Sequence, residues 1–175
     1  MTNDLPVESA LSTNRLVLEM VKIEDHDFIR SLVNTREWIE NIGDRQVRSK
    51  KEAIAYIQRI LATENFLYWV VRIKKESTPI GIISFLRRNY LQNFDIGFAF
   101  LPEFTGKGYA YEAAKAVLDM VTQQPGFNTV LALTLRTNKR SIKLLEKLGF
   151  TFVESSEMEG RRLEIFASAK RPNPN

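Results

Sequence analysis

Residues 94–114 read FDIGFAFLPEFTGKGYAYEAA. An apolar segment rich in Phe and Ile, suited to a strand, stops at Pro102. Two glycines then flank Lys107, and an alanine-rich stretch begins that suits a helix. Gly106 and Gly108 let the chain turn sharply and lie close to a ligand with no Cβ in the way. The free N–H groups at the mouth of a helix, from Thr105 to Ala110, suit an anion such as a pyrophosphate. A glycine-rich turn with no ligand is the plain alternative.

Two familiar phosphate loops do not fit. A nucleotide-hydrolase loop needs G-x-x-x-x-G-K-[ST], but here the lysine lies between the glycines and no Ser or Thr follows it. A dinucleotide loop needs a third Gly or Ala where Tyr111 stands, and it needs an early parallel sheet.

The segments before the loop contradict such a sheet. NFLYWVVRIK (65–74), PIGIISFLRRNY (79–90) and FDIGFAFL (94–101) are separated by KKESTP and LQN, which suit hairpin connections. They predict an antiparallel meander, strands two to four. Upstream, NRLVLEMV (14–21) predicts a first strand. A helix is expected from Asp25, with Phe28, Ile29, Leu32 and Val33 at helical spacing. Another is expected over 49–62, where Ser49 and Glu52 make a capping box. Downstream of the glycines, Ala113, Ala114, Val117, Leu118 and Val121 line one helix face, and PGF (125–127) ends it. TVLALTL (129–135) predicts a buried strand. NKRSIKLLEKLGF (138–150) predicts a helix capped by Asn138, with Ile142, Leu145 and Leu148 in the core and Gly149 as its stop. TFVES and RLEIFASA, joined by the SEMEGR turn, close the chain as a hairpin.

The expected fold is α+β in the order β-α-α-β-β-β-α-β-α-β-β: a mixed, mostly antiparallel sheet of about seven strands with four helices. The fourth and fifth strands, joined through the glycine loop and its helix, should lie side by side in parallel. One domain is expected over 1–170, with 171–175 a frayed tail.

Composition bounds the chemistry. The chain has 175 residues, 44% hydrophobic and 26% charged, no cysteine and a single histidine, His26. A disulfide framework, a thiolate zinc site and a cysteine nucleophile are excluded. No metal is expected. His26 lies in EDHD and reads as a solvated or capping residue with no triad partner in order. The net charge of +4 is mildly basic. The basic pairs Arg87-Arg88, Lys139-Arg140 and Arg161-Arg162 read as solvated faces without interleaved aromatics, so no nucleic-acid partner is expected. Lys139 and Arg140 could also meet a cofactor phosphate. No signal-like start and no membrane-length apolar run are seen, so a cytoplasmic protein is expected.

The 94–114 stretch and TNKRSIKLLEKLGF (137–150) together resemble the GNAT (Gcn5-related) N-acetyltransferase superfamily. The similarity is greatest to the branch containing the ribosomal-protein N-terminal acetyltransferases. The superfamily's loop R/Q-x-x-G-x-G/A corresponds to Thr105-Gly106-Lys107-Gly108-Tyr109-Ala110. The resemblance implies that this loop binds the pyrophosphate of acetyl-coenzyme A and that the strand edge Phe98, Ala99 and Phe100 pairs with the pantetheine amides. It also implies that a bulge there splays strands four and five apart, and that Asn138 binds the arm. Thr105 replaces the usual Arg or Gln. Leu145 stands where many members carry a tyrosine acid.

The implied reaction is direct transfer of an acetyl group to a primary amine, either a protein N-terminus or a small molecule. Asp95 is the candidate general base, with a surface or turn aspartate as the alternative. Ser141 is the candidate acid for the departing thiolate, ahead of Tyr109, and also a candidate contact to the cofactor. Glu112 reads as a partner of the helix dipole. NTREWIENIGDR (34–45) falls where the superfamily builds its acceptor groove. Trp38 and Arg45 are the candidate acceptor-binding residues there, with core packing and a surface ion pair as the alternatives. A monomer or homodimer is expected. A non-catalytic acyl-coenzyme A sensor or scaffold is the alternative function.

Overall fold

The computed structural model describes residues 10–124, 126–158 and 160–168. The expected domain limits at 1 and 170 and the tail at 171–175 lie outside them, as does Pro125 of the expected helix stop. Among the described residues, eight strands form one mixed sheet with five α-helices on its two faces. The strands are β1 (Ala10–Ser12), β2 (Leu16–Met20), β3 (Phe66–Ile73), β4 (Pro79–Leu86), β5 (Asp95–Phe100), β6 (Leu131–Thr134), β7 (Phe150–Met158) and β8 (Arg161–Ser168). The helices are α1 (His26–Val33), α2 (Arg36–Asn41), α3 (Lys50–Ala62), α4 (Tyr109–Thr122) and α5 (Lys139–Lys147). The sheet order is β1-β2-β3-β4-β5-β6-β8-β7.

The expected α+β class and the antiparallel meander β3-β4-β5 are present. Two elements were not foreseen. β1 pairs antiparallel with β2, Ala10 opposite Glu19, which makes eight strands instead of seven. α2 lies inside the stretch read as a connection, capped by the Thr35 hydroxyl accepting from the Trp38 N–H, and makes five helices instead of four. The helix expected from Asp25 starts at His26, after a short 3-10 turn over Ile23–Asp25.

Local chemistry sets the other helix ends. Ser49 and Glu52 form the reciprocal capping box of α3. Asn138 Oδ1 accepts from the Ser141 N–H at the start of α5. Gly149, at φ +86°, takes the left-handed turn that ends α5.

The sheet divides the core in two. On the α4–α5 face, Trp69, Phe85, Phe94, Ile96, Val117, Leu145, Phe150 and Phe166 pack together. On the α1–α3 face, Ile29, Leu32, Trp38, Ile57, Tyr68, Val70 and Ile82 do so. Each large apolar side chain fully buried there contributes about 1.5–3 kcal/mol. The strand alternation is therefore apolar on both faces, and the middle of β4 is buried throughout. Gly81 is required on it: a Cβ there would lie 2.4 Å from the Phe100 ring and 2.7 Å from the Ala99 carbonyl oxygen.

Candidate active site

Among the described residues β5 and β6 are the one parallel pair of the sheet, and they meet at a single position, Asp95 opposite Leu131. The Leu131 N–H donates to the Phe94 carbonyl at 2.9 Å. Beyond that bridge the strands part. β6 turns instead to β8, with which it pairs from Leu131 to Thr134. The result is a split in the sheet, closed at Asp95 and open toward Phe100.

The split exposes one edge of β5. Backbone groups of alternate strand residues point to opposite edges. Phe94 bonds β6, so Phe98 and Phe100 turn their N–H and C=O groups into the split. Ala99 does not: its backbone faces β4 opposite Ile82, and its side chain packs on the α1–α3 core. Of the three residues expected to pair with the pantetheine arm, Ala99 is thus misplaced by strand alternation. The expected bulge is absent as well, since β5 pairs with β4 in unbroken register from Asp95 to Phe100. The split arises because β6 turns away.

β5 leads directly into the glycine loop. A 3-10 turn over Pro102–Phe104 follows it. Gly106 at φ +74° and Gly108 at φ +81° both adopt the left-handed region, and Gly108 is the N-cap of α4. The N–H groups of Gly106, Lys107 and Gly108 donate to no acceptor among the described residues. Tyr109 and Ala110 add the free first-turn N–H groups of the helix. Thr105 differs from expectation. Its N–H and its hydroxyl both donate to the Pro102 carbonyl, at 3.2 and 2.8 Å, so the free donors begin at Gly106. The Lys107 ammonium lies over the Phe104 ring, 5.5 Å from its centre. The loop therefore presents a row of unpaired donors and a left-handed cradle, a geometry that fits the diphosphate of a nucleotide cofactor.

The opposite wall is the mouth of α5. Asn138 caps that helix through Oδ1. Ser141 is half-buried one turn in, and its hydroxyl donates to no described residue. Leu145 is 1% exposed in the core and takes no part in proton transfer.

Asp95 is neither a surface nor a turn residue. It is 2% exposed at the closed end of the split. Arg88 Nε donates to its Oδ1 at 2.9 Å and Arg88 Nη2 to its Oδ2 at 3.4 Å. Burial pushes the Asp95 carboxyl above the usual carboxylate range, against the pull of Arg88. Both oxygens are buried and accept from Arg88, a pairing that the expectation of a general base did not include. Glu164, not singled out by sequence, is another buried carboxylate. It lies on β8 opposite Thr134 and accepts from the Ser155 hydroxyl at 3.0 Å.

Trp38 is 5% exposed within the α1–α3 core, and its indole N–H is buried without a partner among the described residues. It does not line an open groove. Arg45 is exposed and does, together with Gln46, Glu52, Gln58 and Arg59 along α3. The α2 end reaches the β7–β8 hairpin, where Arg161 Nη2 donates to the Glu40 carbonyl at 2.9 Å. His26 lies at the start of α1 with Nδ1 3.3 Å from Asp27 Oδ1.

Residues 15–151 match the family model described as the acetyltransferase (GNAT) domain. The chain belongs to the GNAT acetyltransferase family. That span runs from the start of β2 through β5, the glycine loop, β6 and α5. The uncharacterised N-acetyltransferase YjdG of Bacillus subtilis is 30% identical over 153 residues, covering 80% of this chain and 88% of that protein. The ribosomal-protein-S5-alanine acetyltransferase of Vibrio fischeri shares the fold at TM-score 0.77 and 16% identity, over 92% of this chain and 96% of that one. The microcin C7 self-immunity acetyltransferase MccE, solved with acetyl-CoA and AMP, does so at TM-score 0.79 and 16% identity, over 93% and 97%. This GNAT chain is an acetyltransferase. Among its described residues no helix is long and apolar enough to cross a membrane.

Proposed function

We propose that this acetyltransferase carries the acetyl group of acetyl-coenzyme A directly to a primary amine, on a peptide N-terminus or a small molecule. The observation that carries the reading is the continuity of two open surfaces. The unpaired donors of Gly106, Lys107 and Gly108 stand at one end of β5, and the free edge of Phe98 and Phe100 leads from them into the split. A diphosphate on a long amide-bearing arm matches both, the first by charge and the second by strand-like pairing.

The chain's own part follows from those positions. The loop holds the diphosphate. Phe98 and Phe100 align the arm, and Asn138 contacts it from α5. An edge N–H polarises the thioester carbonyl. The amine nitrogen attacks the carbonyl carbon and the C–S bond breaks. Ser141, whose hydroxyl has no partner among the described residues, would give the thiolate its proton while the amine's proton leaves to solvent. The lack of any cysteine favours direct transfer over a thiol-bound acyl intermediate. Arg45 is the exposed residue proposed to bias acceptor choice.

Thiol release from acetyl-coenzyme A in the presence of free-N-terminal peptides, polyamines and amino acids tests the reading. Acceptor-dependent release with one acetyl group gained by the amine is expected. Coenzyme A binding with no release across the panel would overturn it.

A further inference from the structure

The glycine loop does not hold its own shape. Its first residue, Thr105, is turned back onto Pro102, and the N–H groups that follow have no internal partner. What fixes them comes from the other end of the domain. The turn between β1 and β2 sends Thr13 and Arg15 against the start of α4. Arg15 Nε donates to Glu112 Oε2 at 2.7 Å, and the Arg15 main-chain N–H donates to Glu112 Oε1 at 2.8 Å. The Thr13 hydroxyl donates to the same Oε1 at 2.6 Å. The Arg15 guanidinium lies over the Tyr109 ring, 4.5 Å from its centre. Arg15 Nη1 donates to the Lys107 carbonyl at 3.1 Å, and Nη2 stands 3.3 Å from where a Cβ on Gly108 would be. The turn itself is pinned to the β3–β4 hairpin: the Lys74 N–H donates to the Arg15 carbonyl at 3.0 Å, and the Lys74 ammonium donates to the Thr13 carbonyl.

One peptide plane links this clamp to the loop's donors. In a trans peptide the carbonyl of one residue and the N–H of the next point in opposite directions. Arg15 holds the Lys107 carbonyl outward, so the Gly108 N–H is aimed inward, at the mouth of α4. Gly108 is one of the two residues of that peptide and Gly106 precedes the other, and these left-handed glycines loosen the chain around it. We propose that Arg15 is a positioning residue for cofactor binding: it sets the Lys107–Gly108 peptide so that the loop's N–H groups converge on the diphosphate. The proposal rests on the acetyl-coenzyme A reading of the loop. Glu112 already balances the guanidinium charge, so Arg15 acts by orientation. A lysine has one point charge and no planar fork, and cannot hold Glu112 and the Lys107 carbonyl together in this geometry.

The test compares wild type, Arg15→Ala and Arg15→Lys by calorimetry with coenzyme A, by steady-state kinetics and by thermal melting. Loss of a charge-assisted tether corresponds to about a tenfold change. Both variants are therefore expected to bind coenzyme A about tenfold more weakly and to raise KM for acetyl-coenzyme A alike. The kcat and the acceptor KM should stay within about twofold. Wild-type affinity in Arg15→Ala, full rescue by lysine, or a fall in kcat that tracks a lowered Tm would each overturn the proposal. Absence of coenzyme A binding in the wild type would instead overturn the reading of the loop, and with it the role assigned to Arg15.

Discussion

Arg88 and Asp95 face each other at the closed end of the sheet split, joined by two hydrogen bonds of 2.9 and 3.4 Å, with Asp95 2% exposed. The pair sits at the one position where β5 and β6 meet. Removing the arginine alone leaves a buried carboxylate without compensation, which costs about 3–5 kcal/mol when both partners are buried. The Arg88 side chain is 32% exposed, so the lower end of that range is expected for Arg88→Met. Denaturant unfolding measures it. Asp95→Asn should also lower stability while leaving the acid limb of the pH–rate profile in place. A lost acid limb in that variant would return Asp95 to the role of base.

Gly106 and Gly108 separate backbone strain from crowding. Both are left-handed, so alanine at either costs about 1–2 kcal/mol. A Cβ at Gly106 meets nothing within 4 Å, whereas one at Gly108 comes 3.3 Å from Arg15 Nη2. Similar drops in Tm are expected for the two alanine variants. Both should raise KM for acetyl-coenzyme A beyond what the drop explains, Gly108→Ala the more, because its Cβ also crowds Arg15. Equal KM values would show that the approach of Arg15 is immaterial.

Glu112 gives the fold an acid-sensitive joint. Burial works to raise its carboxyl, but the bonds from Thr13 and Arg15 outweigh this and hold it below the usual glutamate range. A lowered pKa in the folded state means stability that is present above the ordinary glutamate pKa. It is lost as pH falls through the folded value. Glu112→Gln should therefore flatten the acid side of the stability–pH curve, with the difference from wild type largest near neutrality. Parallel curves would remove the joint from the account.

Asn138→Ala should act on two quantities. The lost N-cap costs about 1 kcal/mol of stability, and the missing side chain should raise KM for acetyl-coenzyme A. Asn138→Asp keeps the accepting oxygen and should restore the Tm. It has no amide N–H to offer the arm, so KM should stay high. Restored KM would show that capping was its only task.

The periodic and locally capped parts were legible in the chain. Ser49 with Glu52 announces α3, Asn138 announces α5, and the turn chemistry between β3, β4 and β5 announces the meander. β1 was not, because three residues, Ala10–Ser12, carry no periodicity and become a strand only by pairing with β2. α2 was missed for a similar reason: REWIEN is short and polar, and only Trp38 turns inward. The left-handed glycine turn at the mouth of α4 was readable, since glycine spacing is local. Its support was not, since Arg15 and Glu112 are 97 residues apart. Asp95 looked available because the sequence does not show that Arg88, seven residues earlier in the chain, folds back onto it.

The single bridge at Asp95 and Leu131 makes this sheet two sheets. Strands β1 to β5 form one antiparallel panel and β6, β8 and β7 another, and between them the backbone ladder has one rung. A ligand that hydrogen-bonds along Phe98 and Phe100 supplies the missing rungs. Occupancy then becomes a mechanical property: at a hundredfold excess over Kd a ligand specific for the folded state adds about 2.7 kcal/mol, and here that gain falls on the seam. Amides flanking the seam, in β5 and β6, should slow their hydrogen exchange on binding more than those of the outer strands.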